Sequence, residues 1–138
     1  MISEELKDHQ QLSFFDNVIV IPSTTFFYQH ERVERYKNTI NKFYAYNFVD
    51  YDKLIFIDAD VILVKNIDDI FNLTSKLVVS TYSPKGEQKE LNYPSNGIIL
   101  LTPEKGKYEF LLEFSKTSSS ITDDEALFYN LYLDNFNN

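Results

Sequence analysis

The chain has 138 residues, 43% of them apolar, which suits one globular domain with its own core and leaves too little for two. Thirteen basic against twenty-one acidic residues give a formal charge of -8, the opposite sign to a typical nucleic-acid-binding domain. The absence of cysteine excludes disulfide bonds and thiolate metal sites. No apolar run approaches a membrane span and the start is polar and acidic, so we expect a cytoplasmic protein with neither a membrane span nor a nucleic-acid partner.

The first half of the chain alternates between helical and extended patterns. We predict a helix over 3–11, a strand over 17–21, a helix over 34–48 and a strand over 53–57. The second helix carries an apolar stripe at helical spacing, formed by Val33, Tyr36, Ile40 and Phe43. The second strand is a continuous apolar run, which is typical of strands buried on both faces of a parallel sheet.

The second half continues the alternation. The pattern predicts an extended segment over 61–64, a short helix over 66–71 capped by Asn66, and strands over 77–81 and 97–101. A helix over 102–116 begins at Thr102-Pro103, and a last helix opens at the capping box that starts with Thr122. Strands separated by helices predict an α/β fold with a mostly parallel sheet, whose ligands bind beyond the carboxyl ends of the strands.

The sharpest local feature is the pair Asp58 and Asp60, which follows the apolar strand directly. At a strand end, residues spaced by two point the same way, and two adjacent carboxylates repel each other unless a cation or a proton intervenes. Mg²⁺ and Mn²⁺ prefer oxygen ligands and are often held by one or two carboxylates together with substrate phosphates. The alternative is that both residues are solvated and merely end the strand.

Three classes of protein could use this pair. The first is a glycosyltransferase that holds the diphosphate of a nucleotide sugar through a metal ion. The second is a phosphohydrolase of the haloacid-dehalogenase type, with Asp58 as nucleophile and Asp123-Asp124 as the later acidic pair. The third is a module without enzymatic activity. Dependence on a uridine nucleotide would favour the first class, and hydrolysis of a generic phosphate monoester the second.

Three motifs in order favour the first class. They are the segment from Arg35 to Phe71 around Ile57-Asp58-Ala59-Asp60-Val61, the run Pro94-Ser95-Asn96-Gly97 with its following strand and Thr102-Pro103, and Asp124-Glu125-Ala126-Leu127 with Asn130. Together they resemble the glycogenin-like glycosyltransferases, glycosyltransferase family 8, over about residues 3–136. The resemblance implies a Rossmann-like nucleotide-diphospho-sugar transferase fold of the GT-A type, present here as one partial domain over 1–138.

The resemblance also implies a reaction and a metal. A Mn²⁺ or Mg²⁺ ion would hold a UDP-sugar, and a hexose would pass, with retention of configuration, to a hydroxyl acceptor on a carbohydrate or a protein. Asp58 and Asp60 would be the metal ligands, and Asp58 with Ala59 would also lie near the ribose. Lys42 matches the lysine that reaches the nucleotide sugar.

Four further residues are assigned by the same resemblance. Arg35 lies on one helical face with Lys42 and would bind substrate, although a solvated charged face explains Arg35 equally well. Asn96, or its neighbour Ser95, would donate to the sugar or the acceptor. Asp124 would contact the transferred sugar or position the acceptor. Glu125 stands where the family usually has Gln, which adds charge near the reaction centre.

Two parts of the family pattern have no counterpart in this sequence. These are the first strand–helix–strand portion, which holds the uracil and ribose, and a later histidine that serves as the third metal ligand. His9 and His30 match no family position. We therefore expect a transferase domain incomplete at both ends, with an inactive binding or scaffolding fragment as the alternative. A sheet edge left open in this way would favour self-association into a homo-oligomer.

Overall fold

The computed structural model describes residue 8 and residues 10–27, 36–82 and 93–136. The helix predicted over 3–11 lies mostly outside these residues, and within them Gln10–Phe14 forms a short 3₁₀ helix. Arg35, His9 and His30 also lie outside the described residues.

A three-stranded sheet forms the centre of the described structure. Its strands are β1 (Leu54–Ile57), β2 (Leu77–Tyr82) and β3 (Tyr93–Leu101), arranged in the order β1-β3-β2. Leu101 lies opposite Leu54 on one side and opposite Leu77 on the other, and the register shifts between Val79 and Thr81. The strand that comes last in the chain therefore lies in the middle of this sheet.

The expectation of a mostly parallel sheet is wrong for these three strands. Both pairs are antiparallel, because β3 inserts between β1 and β2 and runs against both. The apolar run of β1 is also only half-buried along its whole length. An apolar run reports that a strand packs against a core, but it carries no information on the direction of its neighbour.

Two predicted extended segments are not strands. Within 17–21, Val20 alone forms an isolated bridge, and the segment 61–64 has no regular structure. Ile62 and Val64 are 85% and 90% exposed. A β-branched or apolar run becomes a strand only where a neighbouring strand offers hydrogen bonds, and these segments lack such a ladder among the described residues.

The helices begin and end differently from the predicted ones. Within the predicted 34–48 helix, Thr39–Asn47 is a 3₁₀ helix of unusual length. A second short 3₁₀ helix covers Asp68–Asn72, and the two α-helices are α1 (Lys107–Phe114) and α2 (Asp124–Phe136). Helix α1 starts well after Thr102 because Gly106, just before it, has a left-handed backbone with φ 81°.

Caps account for the remaining boundaries. Asn66 accepts a hydrogen bond from Asp68 N at 2.6 Å and so forms a turn before the Asp68–Asn72 helix, but the residue at the cap position is Ile67, one residue later than predicted. At α2 the capping residue is Asp123 and not Thr122, because Asp123 Oδ1 accepts from Ala126 N at 2.8 Å. The capping box thus predicted the helix correctly and its first residue wrongly.

The core joins the Thr39–Asn47 helix to α1, α2 and β3. Phe43 packs edge-to-face on Phe128 of α2 with ring centroids 5.1 Å apart, and Tyr44 packs likewise on Tyr108 of α1 at 5.3 Å. Ile40 and Phe43 are fully buried, as the apolar stripe predicts. The Thr39–Asn47 helix is therefore held from both sides, which fixes the polar side chains that it carries.

Candidate functional site

A cleft of about 700 Å³ lies where β1 ends, beside the Thr39–Asn47 helix and the first turn of α2. Most of the side chains that line it are polar or charged. They are Tyr36, Thr39, Lys42, Asp58, Ala59, Asp60, Ser95, Asp123, Asp124 and Glu125. The strand-end position predicted for ligands is thus the position of this cleft.

Main-chain hydrogen bonds bring the acidic pair to the cleft. Asp58 N donates to Gly97 O at 2.9 Å, which continues the β1–β3 pairing by one residue, and Val61 N then donates to Asp58 O at 3.1 Å. A Cβ atom on Gly97 would approach Val61 Cγ2 to 3.3 Å, so glycine allows the turn to lie tightly against β3. Asp58 is half-buried as a result, whereas Asp60 is exposed.

Lys42 is the centre of the charge network. Its Nζ atom lies 3.1 Å from Asp58 Oδ1, 2.8 Å from Asp124 Oδ2 and 3.3 Å from the carbonyl oxygen of Asn96. The side chains of Lys42 and Asp124 are only 6% and 7% exposed. An ammonium group has three donors, and these three acceptors satisfy them in a place that water scarcely reaches.

Two backbone features aim these groups at Lys42. Asn96 has a left-handed backbone with φ 52°, a conformation that Asn tolerates better than most residues, and its carbonyl accepts from Lys42. Asp124 N donates to Thr39 Oγ1 at 3.3 Å, and the same hydroxyl donates to the Tyr36 carbonyl at 3.0 Å. Thr39 therefore ties the start of α2 to the helix that carries Lys42.

Burial raises the pKa of Asp58 above its usual range, and the nearby Lys42 charge offsets that effect only in part. The pKa of Glu125 is raised as well, first by burial of its carboxyl and then by the charges of Asp124 and Asp123. Both pKa shifts show that a negative charge on a carboxyl group of this cleft costs free energy.

The donor set of the cleft suits a hard divalent cation in part. Asp58 and Asp60 offer carboxylate oxygens of the kind that Mg²⁺ and Mn²⁺ bind. No group of three His, Cys, Asp or Glu side chains placed to hold a metal occurs among residue 8 and residues 10–27, 36–82 and 93–136. Phosphate oxygens and water would have to complete the coordination of an ion held by this pair.

The structure brings together most of the residues singled out in the sequence. Lys42, Asp58, Ala59, Asp60, Asp124 and Glu125 all line the cleft. Asn96 is fully buried and contributes its carbonyl, while its side-chain amide has no hydrogen-bond partner. Ser95, its neighbour, lines the cleft instead and shares a 2.8 Å hydrogen bond with Ser80. The functional roles of these residues stay predictions.

Sequence reasoning missed two lining residues. Tyr36 was assigned to the apolar stripe, yet it lines the cleft and is 36% exposed. Thr39 carried no signal, because its hydroxyl matters only once α2 is packed beside it. Asp123, named above only in the acidic pair of the phosphohydrolase alternative, caps α2 and also lines the cleft beside Asp124.

Comparison with known proteins decides the family. Residues 3–125 match the sequence model of Glycosyl transferase family 8, which is most of the chain. The chain belongs to glycosyltransferase family 8. Membership confirms the resemblance seen in the three motifs and implies a GT-A type nucleotide-sugar transferase fold. A haloacid-dehalogenase-type phosphohydrolase is therefore the wrong interpretation of the acidic pair.

The individual relatives of this family 8 chain are glucuronosyltransferases by name. Inositol phosphorylceramide glucuronosyltransferase 1 of Arabidopsis thaliana is 30% identical over 104 residues, covering 75% of this chain and 18% of the relative. UDP-glucuronate:xylan alpha-glucuronosyltransferase 5 of the same plant, a provisional name, is 34% identical over 112 residues, covering 73% and 18%. The chain thus spans less than a fifth of the length of these relatives.

The described helices are short relative to a membrane-spanning helix. None of those within 10–27, 36–82 and 93–136 is long and apolar enough to cross a membrane.

Proposed function

We propose that the cleft binds a UDP-sugar together with a divalent cation, and that the chain serves the transfer of the sugar to a hydroxyl group of a carbohydrate or protein acceptor. The observation that carries this proposal is the acidic strand end of β1 inside a cleft with Lys42 and Asp124. Family membership supports the class of reaction, and the lining of the cleft supports the proposal that the donor binds there.

The need for a cation follows from the charges. A diphosphate would be repelled by a cleft that holds Asp58, Asp60 and Asp124, since Lys42 alone cannot neutralise them. Asp58 and Asp60 would hold a Mn²⁺ or Mg²⁺ ion, with phosphate oxygens among its remaining ligands. Such an ion stabilises the negative charge that develops on the leaving diphosphate.

Lys42 and Asp124 act as a positioned pair in this proposal. Lys42 bridges the strand end that would hold the metal and the start of α2, so one buried ammonium group fixes the position of the Asp58 carboxylate relative to the Asp124 carboxylate. Asp124, fixed by the Thr39 hydroxyl and by Lys42, presents its carboxylate to the transferred sugar or to the acceptor. The Asn96 carbonyl completes the support of Lys42.

The acceptor is proposed only as a hydroxyl compound. The two relatives are named for different acceptors, inositol phosphorylceramide and xylan, while both names specify glucuronate as the sugar. Retention of configuration at the transferred carbon is the stereochemistry that the family resemblance implies, and we propose it for this chain as well.

Thermal unfolding with UDP and Mn²⁺, separately and together, tests the proposal. A ligand that binds only the folded state raises the free energy of unfolding by about 2.7 kcal/mol at a concentration one hundred times its dissociation constant. We expect a rise in the melting temperature that requires both ligands and is lost in Asp58→Asn/Asp60→Asn. The matched control is Asp68→Asn/Asp69→Asn, which removes the same charge from an exposed pair outside the cleft.

A cooperative transition that ignores both ligands would contradict the proposal. The chain would then be an inactive binding or scaffolding piece of its family. A shift that survives in Asp58→Asn/Asp60→Asn would place the nucleotide elsewhere on the chain and would contradict the assignment of the site.

A further inference from the structure

We propose that the cleft selects a nucleotide sugar whose transferred sugar carries no charge, a hexose in preference to a hexuronate, and that Glu125 enforces this selection. The inference rests on the proposed function and concerns the sugar of the same donor. It separates this chain from the two relatives named for glucuronate transfer.

The charges of the cleft wall are strongly one-sided. Five carboxylate side chains line the cleft, and Lys42 is the one basic side chain that lines it within the described part of the chain. The five are Asp58, Asp60, Asp123, Asp124 and Glu125. A divalent ion would be balanced by the diphosphate itself, so it leaves this excess negative charge in place.

Lys42 has no binding capacity left for a sugar carboxylate. Its ammonium group already contacts Asp58 at 3.1 Å, Asp124 at 2.8 Å and the Asn96 carbonyl at 3.3 Å. Its three donors are therefore committed. A hexuronate would have to displace one of these partners, and that exchange would leave either a carboxylate without a counter-charge or the buried Asn96 carbonyl without a donor.

An uncharged sugar meets complementary groups in the same place. Ionised Asp and Glu side chains are hydrogen-bond acceptors only, and sugar hydroxyl groups are donors, so a wall of carboxylates binds hydroxyls well. A hexuronate carboxylate has no proton to donate and repels such a wall. The raised pKa of Glu125, caused by burial and by Asp124 and Asp123, has the same physical origin.

Glu125 is the cleft carboxylate that can be changed without removing a proposed metal ligand or a contact of Lys42. It follows Asp124 in the first turn of α2 and lies on the exposed side of the cleft, outside the Lys42 contacts. Glu125→Gln removes one charge with little change of shape, and a series in salt separates the lost charge from the new amide donor.

The experiment is calorimetric titration of the full chain with UDP, UDP-glucose and UDP-glucuronate, each with Mn²⁺, at low and high salt. We expect UDP-glucose to bind more tightly than UDP-glucuronate, by about threefold to tenfold for one unfavourable charge near an exposed carboxylate. Glu125→Gln should narrow that ratio severalfold, whatever its effect on the affinity for UDP itself. High salt should also narrow the ratio in the wild-type chain, because salt screens the repulsion.

Glu113→Gln is the matched control, because Glu113 is an exposed carboxylate on α1 outside the cleft. The selection would be refuted, and the proposed function retained, if UDP binds but UDP-glucuronate binds as tightly as UDP-glucose. It would be refuted equally by a ratio that Glu125→Gln does not change. Failure of UDP itself to bind with Mn²⁺ would overturn the proposed function, and the selection with it.

Discussion

Two regions next to the acidic pair, the packed core around Lys42 and the segment just after Asp60, differ in which side chains they bury. On the side of the Thr39–Asn47 helix, β3 and α2, the charged Lys42 side chain is 6% exposed among fully buried residues such as Phe43. Just after Asp60, the apolar Ile62 and Val64 are 85% and 90% exposed. Residue type alone therefore predicts the opposite of what is found at both places.

The difference shows that burial follows from partners and not from hydropathy. Lys42 can be buried because each of its donors has an acceptor and two of these are carboxylates. Ile62 and Val64 stay exposed because no described element packs over them. Stability measurements that contrast the two regions can break or sharpen this comparison.

Truncation of the core should give the largest effect. Phe43 is fully buried and packs on Phe128, so Phe43→Ala should lower the free energy of unfolding by about 3–5 kcal/mol. Val64→Ala should change it by less than about 0.5 kcal/mol, since an exposed side chain makes few contacts. Urea denaturation measures both. Similar losses for the two variants would mean that the exposed segment is covered in solution.

Removal of the buried Lys42 ammonium group should give the second largest loss in the free energy of unfolding. Lys42→Met leaves Asp58 and Asp124 facing each other without a counter-charge, and breaking a buried pair costs about 3–5 kcal/mol, reduced here because Asp58 is 30% exposed. Lys116→Met is the control, because its ion pair with Glu113 at 2.6 Å is open to solvent on both sides. That control should cost less than about 1 kcal/mol. If Lys42→Met and Lys116→Met lower the free energy of unfolding equally in urea, the buried contacts of Lys42 contribute no more to stability than an exposed ion pair.

The hydroxyl that links the two halves of the cleft should have a smaller effect. Thr39→Val removes the group that accepts from Asp124 N and donates to Tyr36 O, and should cost about 0.5–1.5 kcal/mol. Thr117→Val removes an exposed hydroxyl that bonds only Phe114 O, and should cost less. If both variants unfold at the same urea concentration, the Thr39 link adds nothing to stability.

The smallest expected effect is a pH dependence. The pKa of Asp58 is raised by burial, so the folded state binds its proton more tightly than the unfolded state does. The contribution of Asp58 to stability is therefore most favourable below its unfolded pKa of 3.8 and falls as pH rises through the folded pKa. The free energy of unfolding of the wild type, relative to that of Asp58→Asn, should therefore fall as pH rises when both are measured without metal.

Asp69→Asn, in which an exposed carboxylate is removed, serves as the reference for this pH series. If the stability of the wild type relative to Asp58→Asn instead rises with pH, the pKa of Asp58 is lowered in the folded state. The charge of Lys42 would then outweigh the effect of burial on that pKa.

Much of the local structure was predictable because its causes are local. The apolar run before Asp58, the periodic burial of Ile40 and Phe43, and the turn at Asn66 each depend on residues within a few positions. The strands over 17–21 and 61–64 were wrong because strand formation depends on a neighbour that the segment itself does not contain.

Some residues of the candidate site could be predicted from the sequence and others could not. Asp58, Asp60 and Lys42 stand in motifs that can be read along the chain. Thr39 joins the site through its hydrogen bond with Asp124 of α2, 85 residues later, and Tyr36 lines the same cleft.

By itself the sequence determined the family, the acidic strand end and the negative charge, since motifs and composition are properties of the order and number of residues. Only the tertiary structure decided that β3 runs between β1 and β2, and that one ammonium group joins Asp58 to Asp124 across 66 positions of chain (124 less 58). The physical reason is that strand direction and charge pairing depend on long-range contacts, whose formation depends on the packing of the whole core.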